Sequence, residues 1–177
     1  GETDMLINVG KVKIAAGKKQ DFSLQYELKE SDFGYEDLKL KGPLSFNGEI
    51  ENLGKFLQVK GHLQVDLLVR CDRCLKEFPY GLTLDIEESF TNRQDVWEAE
   101  NEEDKEIYFF SGDSIDVLEM LVKQIYLNLP MRFLCQPDCK GLCPHCGIDL
   151  NEKECHCAEE QIDPRWAVLK DFKFDKE

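Results

Sequence analysis

The sequence predicts an α+β protein: an antiparallel β-sheet with one packed helix and a cysteine-rich C-terminal tail ordered by bound metal. Three observations predict it. Apolar residues alternate with polar ones along most of residues 1–95, the pattern of strands with one buried and one wet face. A single apolar stripe at helical spacing follows over 113–129. Eight cysteines then fall in four close pairs, six of them inside residues 135–157. An open sheet and a partly closed barrel produce the same alternation, and both stay open at this point.

The strands follow in chain order. Phe22, Leu24 and Tyr26 alternate with Ser23 and Gln25, and Leu44, Phe46, Gly48 and Ile50 alternate with Ser45, Asn47 and Glu49. The clearest strand is His62–Arg70, with Leu63, Val65, Leu67 and Val69 on one face. Leu82, Leu84 and Ile86 mark another. Gly42-Pro43, Asn52-Leu53-Gly54 and Pro79-Tyr80-Gly81 read as turns. DVWEAENEEDKE, residues 95–106, holds seven acids and one lysine and reads as a solvated loop.

The helix over 113–129 carries Ile115, Leu118, Leu121, Val122, Ile125 and Leu129 on its inner stripe. Asp113 or Ser114 is its expected cap, Glu119 and Lys123 pair on its wet side, and Pro130 ends it. Asp163-Pro164 opens a short final helix over 163–172, with Trp166 and Leu169 turned inward. Two domains result: a β-rich one over 1–130, and a cysteine-rich tail over 131–177 packed on it.

Composition narrows the function. The chain has 177 residues, 42% of them hydrophobic, enough for a core. No apolar run reaches the roughly 18 residues a membrane helix needs. GETDMLINVG shows no basic segment leading into an apolar one, so a cytoplasmic protein is expected. The formal charge of −14 repels phosphate backbones. A basic protein partner suits this field better than naked nucleic acid, and a zinc-ribbon nucleic-acid binder is disfavoured. No phosphate-binding loop, dinucleotide-binding glycine pattern or serine elbow is present, so no enzyme and no small-molecule substrate are expected.

Reduced cysteines without an export signal point to metal rather than disulfides. The pairs are Cys71 with Cys74, Cys135 with Cys139, Cys143 with Cys146, and Cys155 with Cys157. Two residues between cysteines make a tight turn that aims both sulfurs at one centre, and Gly147 relaxes the turn of the third pair. The residues between 135 and 157 are too few and too polar for an apolar core of their own, so metal binding is expected to supply their folding energy. Zinc in two four-cysteine sites is the preferred reading: Cys143, Cys146, Cys155 and Cys157 as a local site, and Cys71 and Cys74 with Cys135 and Cys139 as a second. A rival reading makes one tail site from Cys135 or Cys139 with Cys143, Cys146 and a later cysteine, leaving Cys71 and Cys74 as a free dithiol. His145 or His156 standing in for a neighbouring cysteine also stays open. Iron–sulfur binding is less apt, because the spacings match neither ferredoxin pattern. The Cys71/Cys74 dithiol, flanked by Arg70 and Arg73, leaves a thiol-redox function as the alternative.

Four segments together carry a resemblance. LLVRCDRCLKEF at 67–78, LPMRFLC at 129–135, CKGLCPHCGIDLN at 139–151 and IDPRWAVL at 162–169 resemble, in this order, the cysteine-rich version of the bacterial YceD family. Its members are called large ribosomal RNA subunit accumulation proteins. The resemblance implies a bacterial cytosolic factor, with no known enzymatic activity, that supports 23S ribosomal RNA levels or ribosome assembly. A ribosomal protein or a pre-ribosomal large-subunit particle is the implied partner, with weak or indirect contact to the RNA. Arg70, Arg73 and Lys76 around the first cysteine pair are the candidate contacts to RNA or partner.

Overall fold

The computed structural model describes residues 5–27, 39–101 and 106–157. In chain order its elements are β1 (Leu6–Asn8), β2 (Lys19–Tyr26), β3 (Lys39–Leu40), β4 (Leu44–Asn52), β5 (Leu57–Arg70), β6 (Glu77–Thr91), α1 (Gln94–Asn101), β7 (Ile107–Phe109), β8 (Ser114–Asp116) and α2 (Leu118–Asn128). The architecture is sheet-dominated α+β. The main sheet runs β2-β4-β5-β6-β7, with β3 pairing to β5 beyond the end of β4, and β1 and β8 form a separate ribbon. Among the described residues β2 and β7 end the order without meeting, so the sheet is open and no barrel closes. The helix expected over 163–172 lies outside the described residues.

The centre of the sheet is the β5–β6 hairpin, antiparallel from Leu57↔Phe90 to Arg70↔Glu77. Leu57, Val59, Leu63, Val65, Leu67 and Val69 are buried along one face of β5, as the alternation requires. Against that face lie Ile7, Val9, Ile115 and Val117 from the ribbon and its flanks, with Met120, Leu121 and Ile125 of α2. One continuous core results. The period-2 stripe of the strands and the helical stripe of α2 meet in it.

Two inner positions of the sheet are glycine for want of room. Gly48 and Gly61 oppose each other across β4 and β5. A Cβ on Gly61 would lie 2.4 Å from Cε2 of Phe46, and one on Gly48 would lie 2.0 Å from the Lys60 carbonyl oxygen. The Phe46 ring therefore fills the space that the bare Gly61 backbone leaves, with Phe22 4.9 Å away, centroid to centroid.

Three expectations are corrected. Pro79-Tyr80-Gly81 is no turn; it lies inside β6. The Cys71 N–H donates to the Lys76 carbonyl at the hairpin tip. Counting back in steps of two makes Val69–Phe78 a hydrogen-bonded pair and leaves Leu68–Pro79 a non-bonded one. The nitrogen of Pro79 thus faces away from β5, on a stretch where β6 has no second neighbour among the described residues, and proline is tolerated there.

The helix begins at Leu118, not at 113. Residues 114–116 are β8, with Ile115 paired to Ile7 and fully buried. Ile115 and Leu118 stand three apart, so a strand residue extends the helical stripe by coincidence. Asp116, rather than Asp113 or Ser114, accepts the Leu118 N–H at 3.0 Å. Leu129 is extended (φ −70°, ψ 140°), the conformation imposed by Pro130. Lys123 pairs with Glu106 instead of Glu119.

The acidic stretch is helical over Gln94–Asn101. Its anchors are Val96, which is buried, and Trp97, whose Nε1–H donates to the Ile107 carbonyl at 3.1 Å and whose ring meets Phe109 edge-on. Gln94 donates to Glu98 one turn on. Charge density hid two apolar residues sufficient to seat one short helix.

Gly61→Ala should cost about 1–3 kcal/mol through overpacking against Phe46, read as a lower urea midpoint at unchanged slope. Adding Phe46→Leu should recover part of that loss. A double mutant whose losses simply add would show that the Phe46 contact is not the cause.

Candidate metal centre

The β5–β6 hairpin delivers the first cysteine pair at its tip. Cys71 follows β5 directly, and the chain returns through Leu75 and Lys76 into β6. The Cys71 N–H donates to Lys76 O at 2.9 Å, and the Leu75 N–H donates back to Cys71 O at 2.9 Å. The third pair repeats this design. The Cys143 N–H donates to Ile148 O at 2.8 Å, and the Gly147 N–H donates to Cys143 O at 2.9 Å. The residue after the second cysteine is left-handed in both turns, at φ 61° for Leu75 and φ 73° for Gly147. Glycine adopts that conformation freely, whereas leucine carries strain there.

The tail is laid against the hairpin tip by a set of backbone ties. The Asp72 N–H donates to Phe133 O at 2.8 Å, and the Phe133 N–H donates to Asp72 Oδ2 at 2.6 Å. The Phe133 ring meets Tyr80 edge-on at 5.4 Å. Arg73 Nη1 donates to the Cys139 carbonyl at 2.7 Å, and the Leu142 N–H donates to Arg73 O at 3.2 Å. Gly141 passes so close that a Cβ there would lie 3.0 Å from Arg73 O.

These ties bring the eight thiols into two tetrads: Cys71, Cys74, Cys135 and Cys139, and Cys143, Cys146, Cys155 and Cys157. Within each, all sulfurs lie within 4.8 Å of one another. Four sulfurs at metal–sulfur distance from one centre lie about 3.8 Å apart. In the first tetrad Cys71 and Cys139 are 3.8 Å apart, and Cys74 and Cys135 3.6 Å. In the second, Cys155 lies 3.4 Å from both Cys143 and Cys146. Both sets are compatible with a tetrahedral ion such as zinc. Cys71 and Cys74 lie beside Cys135 and Cys139 rather than apart as a lone dithiol. His145 and His156 are exposed and belong to neither set. The first tetrad is largely buried; in the second Cys146 is exposed.

The thiols of each tetrad differ in acidity. Burial raises the Cys71 thiol, but the backbone N–H groups of Cys74, Cys135 and Arg73 outweigh it and hold it at about 6. At Cys143 the N–H groups of Cys146 and His145 do the same, also to about 6. Burial and the neighbouring sulfurs push Cys135 up to about 12. At Cys155 the Cys157 N–H pulls downward, and the surrounding sulfurs prevail, to about 12. Each set without metal therefore pairs a thiolate at neutral pH with a thiol that keeps its proton.

Arg70, Arg73 and Lys76 are exposed around the first knuckle. Arg73 is engaged by the tail carbonyl, which makes it a clamp of the site. Asn151 was not singled out by sequence reasoning, although it ends the second knuckle's motif. Its Nδ2 donates to Cys139 Sγ at 3.4 Å, and its Oδ1 accepts the Lys140 N–H at 2.8 Å. One side chain from the second knuckle thereby supports a sulfur of the first tetrad. Its cue is the polar residue where the knuckle pattern ends.

The matched left-handed positions predict opposite signs. Gly147→Leu should destabilise by about 1–2 kcal/mol, the cost of placing a side chain in that conformation. Leu75→Gly should be neutral or raise the thermal midpoint, since relief of strain offsets the added freedom of the unfolded chain. A clear loss of stability in Leu75→Gly would refute the strain assignment.

Comparisons with known proteins bear on what this centre belongs to. The family model described as large ribosomal RNA subunit accumulation protein YceD matches residues 59–173. An uncharacterised Mycobacterium tuberculosis protein is 32% identical over 126 residues, 71% of this chain and 60% of its own length. The chain thus spans about 60% of the mycobacterial relatives it matches. The uncharacterised protein YlbN of Bacillus subtilis is 25% identical over 150 residues, 84% of this chain and 85% of its own. A chloroplastic YCED homologue of Arabidopsis thaliana, named for large ribosomal RNA subunit accumulation, is 22% identical over 92% of this chain and 58% of its own. No solved structure matches the chain. The match over 59–173 spans both cysteine knuckles and the strands that carry the first, and the chain belongs to the YceD family.

Proposed function

We propose that the chain is a non-enzymatic factor supporting accumulation of large-subunit ribosomal RNA through ribosome assembly, and that both tetrads hold structural zinc. The observation that carries the metal reading is the gathering of eight thiols into two all-cysteine sets with tetrahedral spacing. Closed all-thiolate sites order a fold; catalytic zinc keeps an open position and usually has histidine or carboxylate ligands. The ribosomal reading draws on family membership and the names its relatives carry.

Charge favours a protein contact. At −14, the chain is repelled by RNA phosphates and attracted to a basic ribosomal protein or to one exposed on a pre-ribosomal large-subunit particle. Each four-thiolate zinc centre adds a net charge of about −2. Arg70 and Lys76 would then touch RNA only at the edge of a protein-mediated contact, in the cytoplasm. Among the described residues no helix is long and apolar enough to cross a membrane. The thiol-redox alternative draws on the acidic Cys71 thiol. Cys71 is fully buried, however, and reactive cysteines need access.

The purified chain should carry two zinc ions by native mass spectrometry, and Cys71→Ser should lose one of them while Cys143→Ser loses the other. Because the thiols of Cys135 and Cys155 stand near 12 before metal binds, binding at neutral pH releases protons, and affinity falls as pH falls. A colorimetric chelator should therefore extract zinc faster at pH 5.5 than at 7.5, with affinity changing about tenfold per pH unit for each proton that binding displaces. A Cys71→Ser chain with an unaltered fold and full zinc content would instead support the redox alternative. For the assembly reading, affinity capture of the tagged chain at moderate salt should enrich large-subunit precursor RNA together with ribosomal proteins. Capture of neither would overturn it.

A further inference from the structure

A second surface lies away from the cysteines, at the seam between the main sheet and the β1–β8 ribbon. It is a groove of about 300 Å³. Its lining includes Tyr108 and Phe109 of β7, Leu6 of β1, Met120 of α2, and the carboxylates Asp116 and Glu119. Leu6 and Phe109, both in that lining, are 44% and 46% exposed. Isolated exposed apolar residues are ordinary; here two line the same groove.

The charged groups that line it, Asp116 and Glu119, have one sign. Among the described residues lining the groove there is no lysine or arginine. The nearby Lys123 is already paired with Glu106. Burial together with Glu106, Glu88 and Glu119 pushes the Tyr108 phenol up to about 12, a sign of the negative field behind the aromatic wall. The acidic helix α1 also packs against β7, with Trp97 on Phe109. By contrast, the cleft beside the first knuckle mixes Asp72 with Arg73 and Arg132, so its charge selects no partner.

We infer that this groove docks a lysine- and arginine-rich peptide segment through one large apolar side chain held between Leu6 and Phe109. The inference rests on the assembly reading above and names the surface by which a basic protein partner is held. The anchor desolvates against Leu6, Phe109 and Met120, while the flanking cations face Asp116 and Glu119. Cation–carboxylate attraction speeds encounter and sets orientation; the buried anchor supplies persistence.

The test uses the full zinc-loaded chain and a fluorescein-labelled peptide of lysines and arginines around a single phenylalanine, followed by anisotropy at physiological salt. Binding should weaken about tenfold when serine replaces that phenylalanine, and by a similar factor in Leu6→Ser or Glu119→Lys. Amide shifts on titration should cluster at Leu6, Phe109, Ser111 and Glu119. Equal binding of the phenylalanine and serine peptides, with shifts spread along α1, would mean general charge attraction and overturn the groove. Self-association abolished by Glu119→Lys would assign the groove to a second copy and overturn it equally. So would nuclear Overhauser contacts in the free chain from groove amides to residues 28–38 or 158–177. If Glu119→Lys still captures ribosomal particles as well as the unmodified chain, the groove falls and the assembly reading stands. If the unmodified chain captures none while peptide binding persists as described, the assembly reading falls alone.

Discussion

Four sulfurs must converge on one point, and the chain offers them only in pairs. That constraint organises the molecule. A β-hairpin tip projects the sulfurs of Cys71 and Cys74 from one end of the sheet, and two donors cannot close a tetrahedron. The tail has to come to the hairpin, and its path from Phe133 to Leu142 is fixed by hydrogen bonds to Asp72 and Arg73. The sheet carries a continuous apolar core of its own. Among the described residues the tail beyond Phe133 has only the small cluster around the cysteines, and hydrogen bonds tie it to the hairpin.

The two knuckles show how one backbone solution recurs under different side chains. Both close with the same pair of hydrogen bonds and the same left-handed residue after the second cysteine. Glycine occupies that place where the turn stands at the surface, and leucine occupies it at the hairpin tip. Asn151 then ties the second knuckle to a sulfur of the first set. The tail is therefore a chain of dependencies. The sheet holds the first tetrad, and the first tetrad's loop holds the second knuckle through Asn151 and Arg73.

Electrostatics runs through both ends of the molecule. Backbone N–H groups stabilise one thiolate in each tetrad, and a further thiol, Cys135 or Cys155, resists ionisation beside it. A divalent cation resolves that conflict by neutralising the cluster. At the other end, carboxylates crowd the seam between β7, β8 and α2, with Lys123 already paired. An acidic protein with apolar side chains in its acidic region is suited to basic partners and poorly suited to bare phosphate.

Much of this was legible in the residues themselves. Period-2 alternation located β2, β4, β5 and the body of β6, because burial of one face leaves a mark at every second residue. The inner stripe of α2 and its end before Pro130 were equally plain. The pairing of cysteines within each knuckle follows from local turn geometry. Other features were decided only when distant residues met. Pro79 passes for a turn until the register turns its nitrogen outward, and Ile115 passes for helix until Ile7 pairs with it. Val96 and Trp97 are submerged in acids until β7 offers Ile107 and Phe109. Local spacing could not choose between the two groupings of the thiols. The sulfurs of the first tetrad come from positions more than sixty residues apart. Sequence determines which residues are fit to be ligands; the distance between them in space exists only once the sheet has carried the hairpin tip to the tail.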